Sequence, residues 1–325
     1  MLDSFGRKVD YLRLSVTDRC DLRCKYCMPV KMTFSEKKEN LSHKDLIKIS
    51  DAFIKIGIKK IRITGGEPLV RKDISILLEF LSLCKKDGKL EEITMTTNGT
   101  QLIKFAPIIF KNGIERLNVS IDSLIPEKYK FITNGGDLKK VLNGLELAKK
   151  IGIKIKINMV LIKNFNDDEI IQMTKWCALQ NFKLSFIEIM PLGDMNLSRK
   201  KQYYPVHKAQ KLIENKLGLK KSLFKSNGPS KYYETSRVKS TIGFISPISN
   251  NFCSSCNRIR VTSNGILFGC LGNKKSIDIK PLLNSKKSVF INELKKSIFN
   301  KPERHFFQIN EKIPAVERFM NFTGG

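Results

Sequence analysis

Short runs of branched aliphatic residues recur along the first two thirds of the chain, each followed by a turn and then a stretch whose apolar positions repeat every three or four residues. The runs fall at 11–16, 60–64, 92–96, 115–120, 154–160 and 183–188, with helical patterns near 42–57, 72–85, 101–112, 137–151 and 167–178. Alternating strand and helix predicts βα units and a parallel sheet. Six such units are too few to close an eight-fold barrel, so the expected fold is α/β, an incomplete (β/α)6 barrel. Beyond about 195 the order lapses: a helix around 206–217, then SNGPSKYYE, reads as a linker with a small peripheral element. VKSTIGFISPISNNF reads as a strand and turn, and further helices are expected near 287–299 and 312–321. The expected division is 1–225 for the partial barrel and 226–325 for a C-terminal region.

Within the strands, period-two alternation separates two faces. Tyr11, Arg13, Ser15 and Thr17 oppose Leu12, Leu14 and Val16; Lys60, Arg62 and Thr64 oppose Ile61 and Ile63. Asn118, Ser120 and Asp122 oppose Leu117, Val119 and Ile121, and Lys154, Lys156 and Asn158 oppose Ile153, Ile155 and Ile157. Parallel strands covered by helices ordinarily read apolar on both faces. Four strands departing from that rule together predict a wet, cationic cavity rather than a set of solvent-facing edges.

Composition changes this picture little. The 325 residues are 41% hydrophobic, enough for a large core. Neither an 18-residue apolar run nor a leading apolar segment is seen, so membrane spanning and secretion are not expected and a cytoplasmic protein is. A net charge of +28 would ordinarily suggest nucleic acid. The lysines are scattered in KK, KKE and LKK as on solvated faces, so no nucleic-acid partner is inferred.

The cysteines carry more. CDLRCKYC places Cys20, Cys24 and Cys27 directly after the first strand, and CSSC with a later cysteine gives Cys253, Cys256 and Cys270. Two such clusters in a long chain do not read as a disulfide framework and point to a reducing compartment; Cys84 and Cys177 stand alone as apolar fillers. Three thiolates can hold three irons of a [4Fe–4S] cube and leave the fourth open. Zinc, the rival, wants four ligands, and the nearest histidine is His43. The first loop sits at the carboxyl end of the sheet, where βα folds bind ligands. Gly65-Gly66-Glu67-Pro68 after the second strand lets backbone approach a ligand, and its glutamate can accept from an ammonium. Arg258 and Arg260 share a face beside the second cluster, where guanidinium forks suit phosphate oxygens.

CxxxCxxC resembles the motif of the radical S-adenosylmethionine superfamily. That resemblance implies one [4Fe–4S] cluster on Cys20, Cys24 and Cys27, with Tyr26 the aromatic before the last ligand. It also implies a methionine-binding Gly65, Gly66 and Glu67, and contacts to ribose, carboxylate or adenine from Thr96, Asn98, Ser120 and Met190. GRKVDYLRLSVTDRCDLRCKYCMP, KKIRITGGEPLVR, TMTTNGT, NVSIDSL, FIEIMPLG, ISPISNNFCSSCNRIRVTSNG and DIKPLL resemble blocks of the GTP 3',8-cyclase family of molybdenum cofactor biosynthesis and span nearly the whole chain. This implies a second [4Fe–4S] cluster on Cys253, Cys256 and Cys270 whose open iron takes the purine of GTP. Arg13, Lys60, Arg62, Lys156, Arg258 and Arg260 would hold the triphosphate, and a Gly324-Gly325 tail would reach into the site. The implied partners are a flavodoxin or ferredoxin as reductant, cyclic pyranopterin monophosphate synthase downstream, and a second copy in a homodimer. Two departures stand out: Ser185 replaces an arginine frequent before FIE, with Lys183 a candidate substitute, and GILFGC lacks the basic residue or proline often seen before Cys270. The alternatives are a radical enzyme with an auxiliary cluster acting on a peptide or tetrapyrrole, and a nucleic-acid-binding zinc protein.

Overall fold

The computed structural model of the chain describes residues 1–36, 38–193, 199–224, 226, 228–310 and 314–324. The alternation runs in the order expected: β1 (Tyr11–Ser15), α1 (His43–Lys55), β2 (Lys60–Thr64), α2 (Ile74–Lys86), β3 (Glu92–Thr97), α3 (Leu102–Lys111), β4 (Arg116–Ser120), α4 (Pro126–Thr133), α5 (Leu138–Lys150), β5 (Lys154–Leu161), α6 (Ile170–Leu179) and β6 (Lys183–Glu188). Then follow α7 (Arg199–Gln202), α8 (Val206–Leu217), β7 (Leu219–Lys221), β8 (Lys231–Thr235), β9 (Thr241–Ile245), β10 (Arg258–Val261), β11 (Ile266–Phe268), β12 (Ser276–Asp278), α9 (Lys287–Phe299) and α10 (Met320–Thr323). Local chemistry sets the helix starts. Ser42 and Asp45 form a reciprocal capping box on α1, and the Asp137 carboxylate accepts from the Lys139 and Lys140 amides at α5.

All strands join one sheet in the order β12-β11-β10-β1-β2-β3-β4-β5-β6-β9-β8-β7. It is parallel from β10 through β9 and antiparallel at both edges. The fold is thus a partial barrel of radical SAM type, extended by the C-terminal region. β9 and β10 follow one another in sequence yet lie at opposite ends of the parallel run. Residues 246–257, which carry Cys253 and Cys256, therefore link those two ends.

Leu12, Leu14, Ile61, Ile63, Leu117, Val119, Ile155 and Ile157 are fully buried in the core shared with the helices. Each such side chain contributes about 1.5–3 kcal/mol of burial. The opposite face is buried as well, but with polar groups: Arg13, Ser15, Lys60, Asn118 and Lys156. A solvent-facing edge would leave them exposed, so the alternation reports an internal cavity.

Two expectations are corrected. Within SNGPSKYYE, residues 231–234 are not linker, because they belong to β8, which pairs with β9 and brings its aromatic KYYET strand onto the sheet. Near 312–321 residues 314–319 are not helical and only Met320–Thr323 is; residues 311–313 lie outside the described residues. Pro314 supplies no amide donor, and Val316 instead bridges to Leu192. Helix α4 was not anticipated. Among the described residues no helix is long and apolar enough to cross a membrane.

Candidate active site

The loop bearing Cys20, Cys24 and Cys27 leaves the carboxyl end of β1 and is held from two sides. From β2, the Gly66 amide donates to Thr17 O at 2.7 Å and the Glu67 amide to Arg19 O at 2.8 Å. From α4, Ile132 O and Thr133 O accept from the Lys25 and Arg23 amides at 2.9 and 3.0 Å. A Cβ on Gly66 would lie 2.3 Å from Arg19 O, and one on Gly65 2.5 Å from Thr17 O. The paired glycines are thus what allows the two backbones to meet.

Glu67 is fully buried and joins the strand ends: Oε1 accepts from the Leu69 amide at 3.0 Å and Thr97 Oγ1 at 2.8 Å, Oε2 from the Asn98 amide at 2.7 Å. Burial pushes this carboxyl up to about 7 against those hydrogen bonds. Asn98 Nδ2 donates to Asp21 at 2.7 Å and lies 3.7 Å from Cys20 Sγ. Tyr26 donates to Asp122 at 2.7 Å, and burial raises Asp122 to about 6. Thr96 Oγ1 is buried without a partner, while Ser120 ends β4 opposite Asn158. Burial raises the free Cys20 and Cys27 thiols to about 12. Ionisation there needs a bound cation, which is how iron or zinc takes a thiol.

Behind this loop lies a cleft of about 1120 Å³ including its open mouth. Arg13, Lys60, Arg62, Lys156, Arg258 and Arg260 all line it, together with Met190 and Cys253, Cys256 and Cys270. Strand register sets the cations in rows, with Arg260, Arg13 and Arg62 side by side across β10, β1 and β2. Among the described residues no Asp or Glu lines the cleft. Tyr11 Oη, Arg13 Nε, Arg62 Nε, Asn118 Oδ1 and Asn158 Oδ1 are buried without partners. Buried polar atoms are rarely left so. An anion would accept from Tyr11, Arg13 and Arg62, while the two asparagine oxygens call for a ligand that also carries hydroxyl or amine donors.

Arg116 also lines the cleft, and Glu92 bridges it to Lys60. Lys183 does not line it, because its ammonium sits 3.2 Å from the Phe224 ring centroid. Ser185 instead meets Ser230 at 3.2 Å, beside Lys156, which donates to Ser230 at 3.4 Å and to Tyr232 at 3.1 Å.

At the second set, burial would raise the Cys256 thiol, but Arg258 and the buried Lys301 bring it down to about 6. Arg7, ion-paired to Asp3 at 2.6 Å, donates to the carbonyls of Cys253, Pro302 and Glu303. Arg318 donates to the carbonyls of Cys270, Leu271 and Asn273. The sequence reading did not single out Arg7, Lys301, Arg116 or Arg318. Of the tail, Gly324 O accepts from Arg260 at 2.9 Å and lies 3.5 Å from Arg13, while Gly325 lies outside the described residues. Among the described residues no three His, Cys, Asp or Glu side chains converge on one metal-ion position. Each thiolate of a cubane binds its own iron, so the donor sets fit clusters better than mononuclear zinc.

A family model for the Radical SAM superfamily matches residues 14–177, and one for Molybdenum Cofactor Synthesis C matches residues 182–307. Proteins named GTP 3',8-cyclase from Brucella ovis and Sinorhizobium medicae are 43% and 42% identical over 329 aligned positions. Those alignments cover 100% of this chain and 96% and 94% of the relatives. Streptococcus suis SuiB superposes with a TM-score of 0.64 at 16% identity, covering 97% of this chain and 77% of that one. Native anSMEcpe with bound AdoMet gives 0.51 at 16%, covering 91% and 93%. At such identities the two structures speak to the fold alone. Fold, full-length relatives and the two cysteine loops agree: the chain belongs to the GTP 3',8-cyclase family of the radical SAM superfamily.

Proposed function

We propose that the chain converts GTP to (8S)-3',8-cyclo-7,8-dihydroguanosine 5'-triphosphate, the first step of molybdenum cofactor biosynthesis. The observation that carries the reading is a single cleft whose wall holds both Cys253, Cys256 and Cys270 and the row Arg260, Arg13, Arg62. The name shared by full-length relatives at 43% identity supports it independently. A peptide without acidic side chains gives no comparable reason for so many cations free of lining carboxylates, and the relatives' shared name favours GTP over a polycarboxylate tetrapyrrole.

In this reading Cys20, Cys24 and Cys27 hold one [4Fe–4S] cluster and Cys253, Cys256 and Cys270 a second. Gly65, Gly66 and Glu67 receive the methionine end of S-adenosylmethionine, and Tyr26, Thr96, Ser120 and Met190 border its remainder. When bound, a reduced cluster with S-adenosylmethionine would supply a 5'-deoxyadenosyl radical to take the ribose C3' hydrogen, and closure of that carbon onto guanine C8 would need one further electron and one proton to give the dihydro product. The residues do the holding. Lys60, Arg62, Lys156, Arg258 and Arg260 neutralise the triphosphate in a low-dielectric cleft, where fixed charges act most strongly. Arg13 and Arg260 keep Gly324 at the mouth, and the Gly324-Gly325 tail excludes water from the reacting ribose.

Residues 1–225 would then carry the radical chemistry and 226–325 the base-binding cluster and tail. A flavodoxin or ferredoxin would deliver electrons to this strongly basic chain, a homodimer would be the working form, the cytoplasm its setting, and cyclic pyranopterin monophosphate synthase the consumer of product. The test is anaerobic reconstitution with iron and sulfide, then dithionite, S-adenosylmethionine and GTP. About eight irons per chain with 5'-deoxyadenosine and cyclised GTP are expected. About eight irons with 5'-deoxyadenosine and untouched GTP would reject the substrate, and bound zinc without cleavage would reject the chemistry.

A further inference from the structure

We propose that residues 314–324 form a strap coupling the two cysteine loops, with Arg318 its anchor on the Cys270 turn and Asn321 its anchor on the first loop at Asp18. The inference rests on the reading that each loop holds a cluster. It concerns how the two are kept in step rather than what they react with.

The contacts are continuous along the segment. Val316 is buried, bridges to Leu192 and accepts from the Gly193 amide at 3.2 Å. One Arg318 nitrogen faces three carbonyls of the turn that follows the Cys270 side chain, at 3.3 Å from Cys270 O and 3.0 Å from Asn273 O, with Leu271 O between. The guanidinium also lies 3.9 Å from the Phe268 ring centroid. Among the described residues no carboxylate pairs with it, so its charge is committed to the turn. Charge-assisted bonds of this kind are the strong ones.

Phe319 comes next and occupies the space that a side chain at Gly193 would need, its Cδ1 only 2.2 Å from an ideal Cβ there. The strap is thus seated before it reaches the first loop. There the Met320 amide donates to Cys27 O at 3.3 Å. Asn321 is almost completely buried, and its Nδ2 donates to Asp18 O at 2.9 Å, two residues before Cys20. Hydrogen bonds to the backbone beside a ligating cysteine set the orientation of that ligand.

Arg318 and Asn321 are three positions apart, at most about 11 Å of chain. A strap this short transmits displacement. If the Cys270 turn is not in place, Arg318 has no carbonyls to hold, and the Met320 amide at Cys27 loses its register. Arg318 and Asn321 are therefore positioning residues: neither side chain touches the cleft, yet each fixes a loop that carries cysteine ligands.

The experiment reads the first cluster without GTP. Reconstituted, reduced protein is titrated with S-adenosylmethionine, and the change in the electron paramagnetic resonance of the first cluster gives the affinity, alongside iron per chain. Arg318→Ala is expected to weaken that affinity at least about fivefold, although Arg318 contacts only the other loop. Asn321→Ala should do the same, the double variant should be no worse than either single one, and Arg318→Lys should recover most of the loss. An unchanged titration in Arg318→Ala, or additive losses in the double variant, overturns the coupling. If Arg318→Ala does not fold, Asn321→Ala and Arg318→Lys still decide, since an unchanged titration in Asn321→Ala removes the anchor on the first loop. Parent protein with both clusters, a normal titration and no cyclised GTP would defeat the proposed reaction alone and leave the strap standing.

Discussion

Lys156 and Tyr232 meet at 3.1 Å inside the cleft wall, beside Ser185 and Ser230. Burial raises the phenol, but the Lys156 charge and hydrogen bonds from Ser226, Lys156 and Ser230 outweigh it and bring Tyr232 down to about 8. Burial in turn pulls the Lys156 ammonium below its ordinary range. The pair therefore shares its proton closely. A phenol depressed on folding contributes stability fully above its unfolded value of about 10. That contribution is lost as pH falls through about 8. Ultraviolet titration of the ligand-free chain should show a phenol ionising near pH 8, and Lys156→Met should move it back toward the ordinary range. Adding GTP should raise the same transition, because a triphosphate competes for the Lys156 charge. A titration indifferent to both changes would exclude the pairing.

The turn after β2 shows how an element positions chemistry it does not perform. Gly66 lies against Arg19 O, a backbone atom that cannot rotate aside. Gly66→Ala should therefore displace the Cys20 loop, so that reconstituted iron falls from about eight to about four per chain or fewer, the second set losing iron as far as the strap carries the displacement. Iron retained at the parent level would show that the loop yields. Elements like β2 were legible because Ile61 and Ile63 alternate with Lys60, Arg62 and Thr64, a purely local signal. The cationic face followed from the same period, and one step back along β4 it would have revealed Arg116. Lys183 obeys the register too, but its long stem lets the charge leave for Phe224. Helix α4 escaped notice because PEKYKFIT has no clean apolar stripe, with Tyr129, Ile132 and Thr133 its only buried residues. TIGFI looked like a strand and Arg258 and Arg260 read as sharing a face, yet nothing local could say that these segments pair with β6 and β1. Such pairings depend on contacts remote in sequence. The same holds for Arg7 and Arg318, whose partners are backbone carbonyls that no residue pattern announces.

At the scale of the molecule, the ends of the parallel run are joined through the second cysteine set, and Arg7 fastens the N-terminal turn to it. Cys84 and Cys177 lie outside this arrangement, on α2 and α6, buried against the core with their thiols raised by burial. Of the eight cysteines, only those of the two loops are partly exposed. Thiol labelling of the folded, iron-free chain should thus reach only the six loop cysteines, Cys256 first and Cys20 and Cys27 slowly because their thiols resist ionisation, with two more sites released on unfolding. Eight labelled sites in the folded chain would contradict the burial of Cys84 and Cys177. Each loaded centre should silence three, so the protein carries its own gauge of occupancy, one that distinguishes a half-filled preparation from a mixture of full and empty molecules when labelling is read chain by chain.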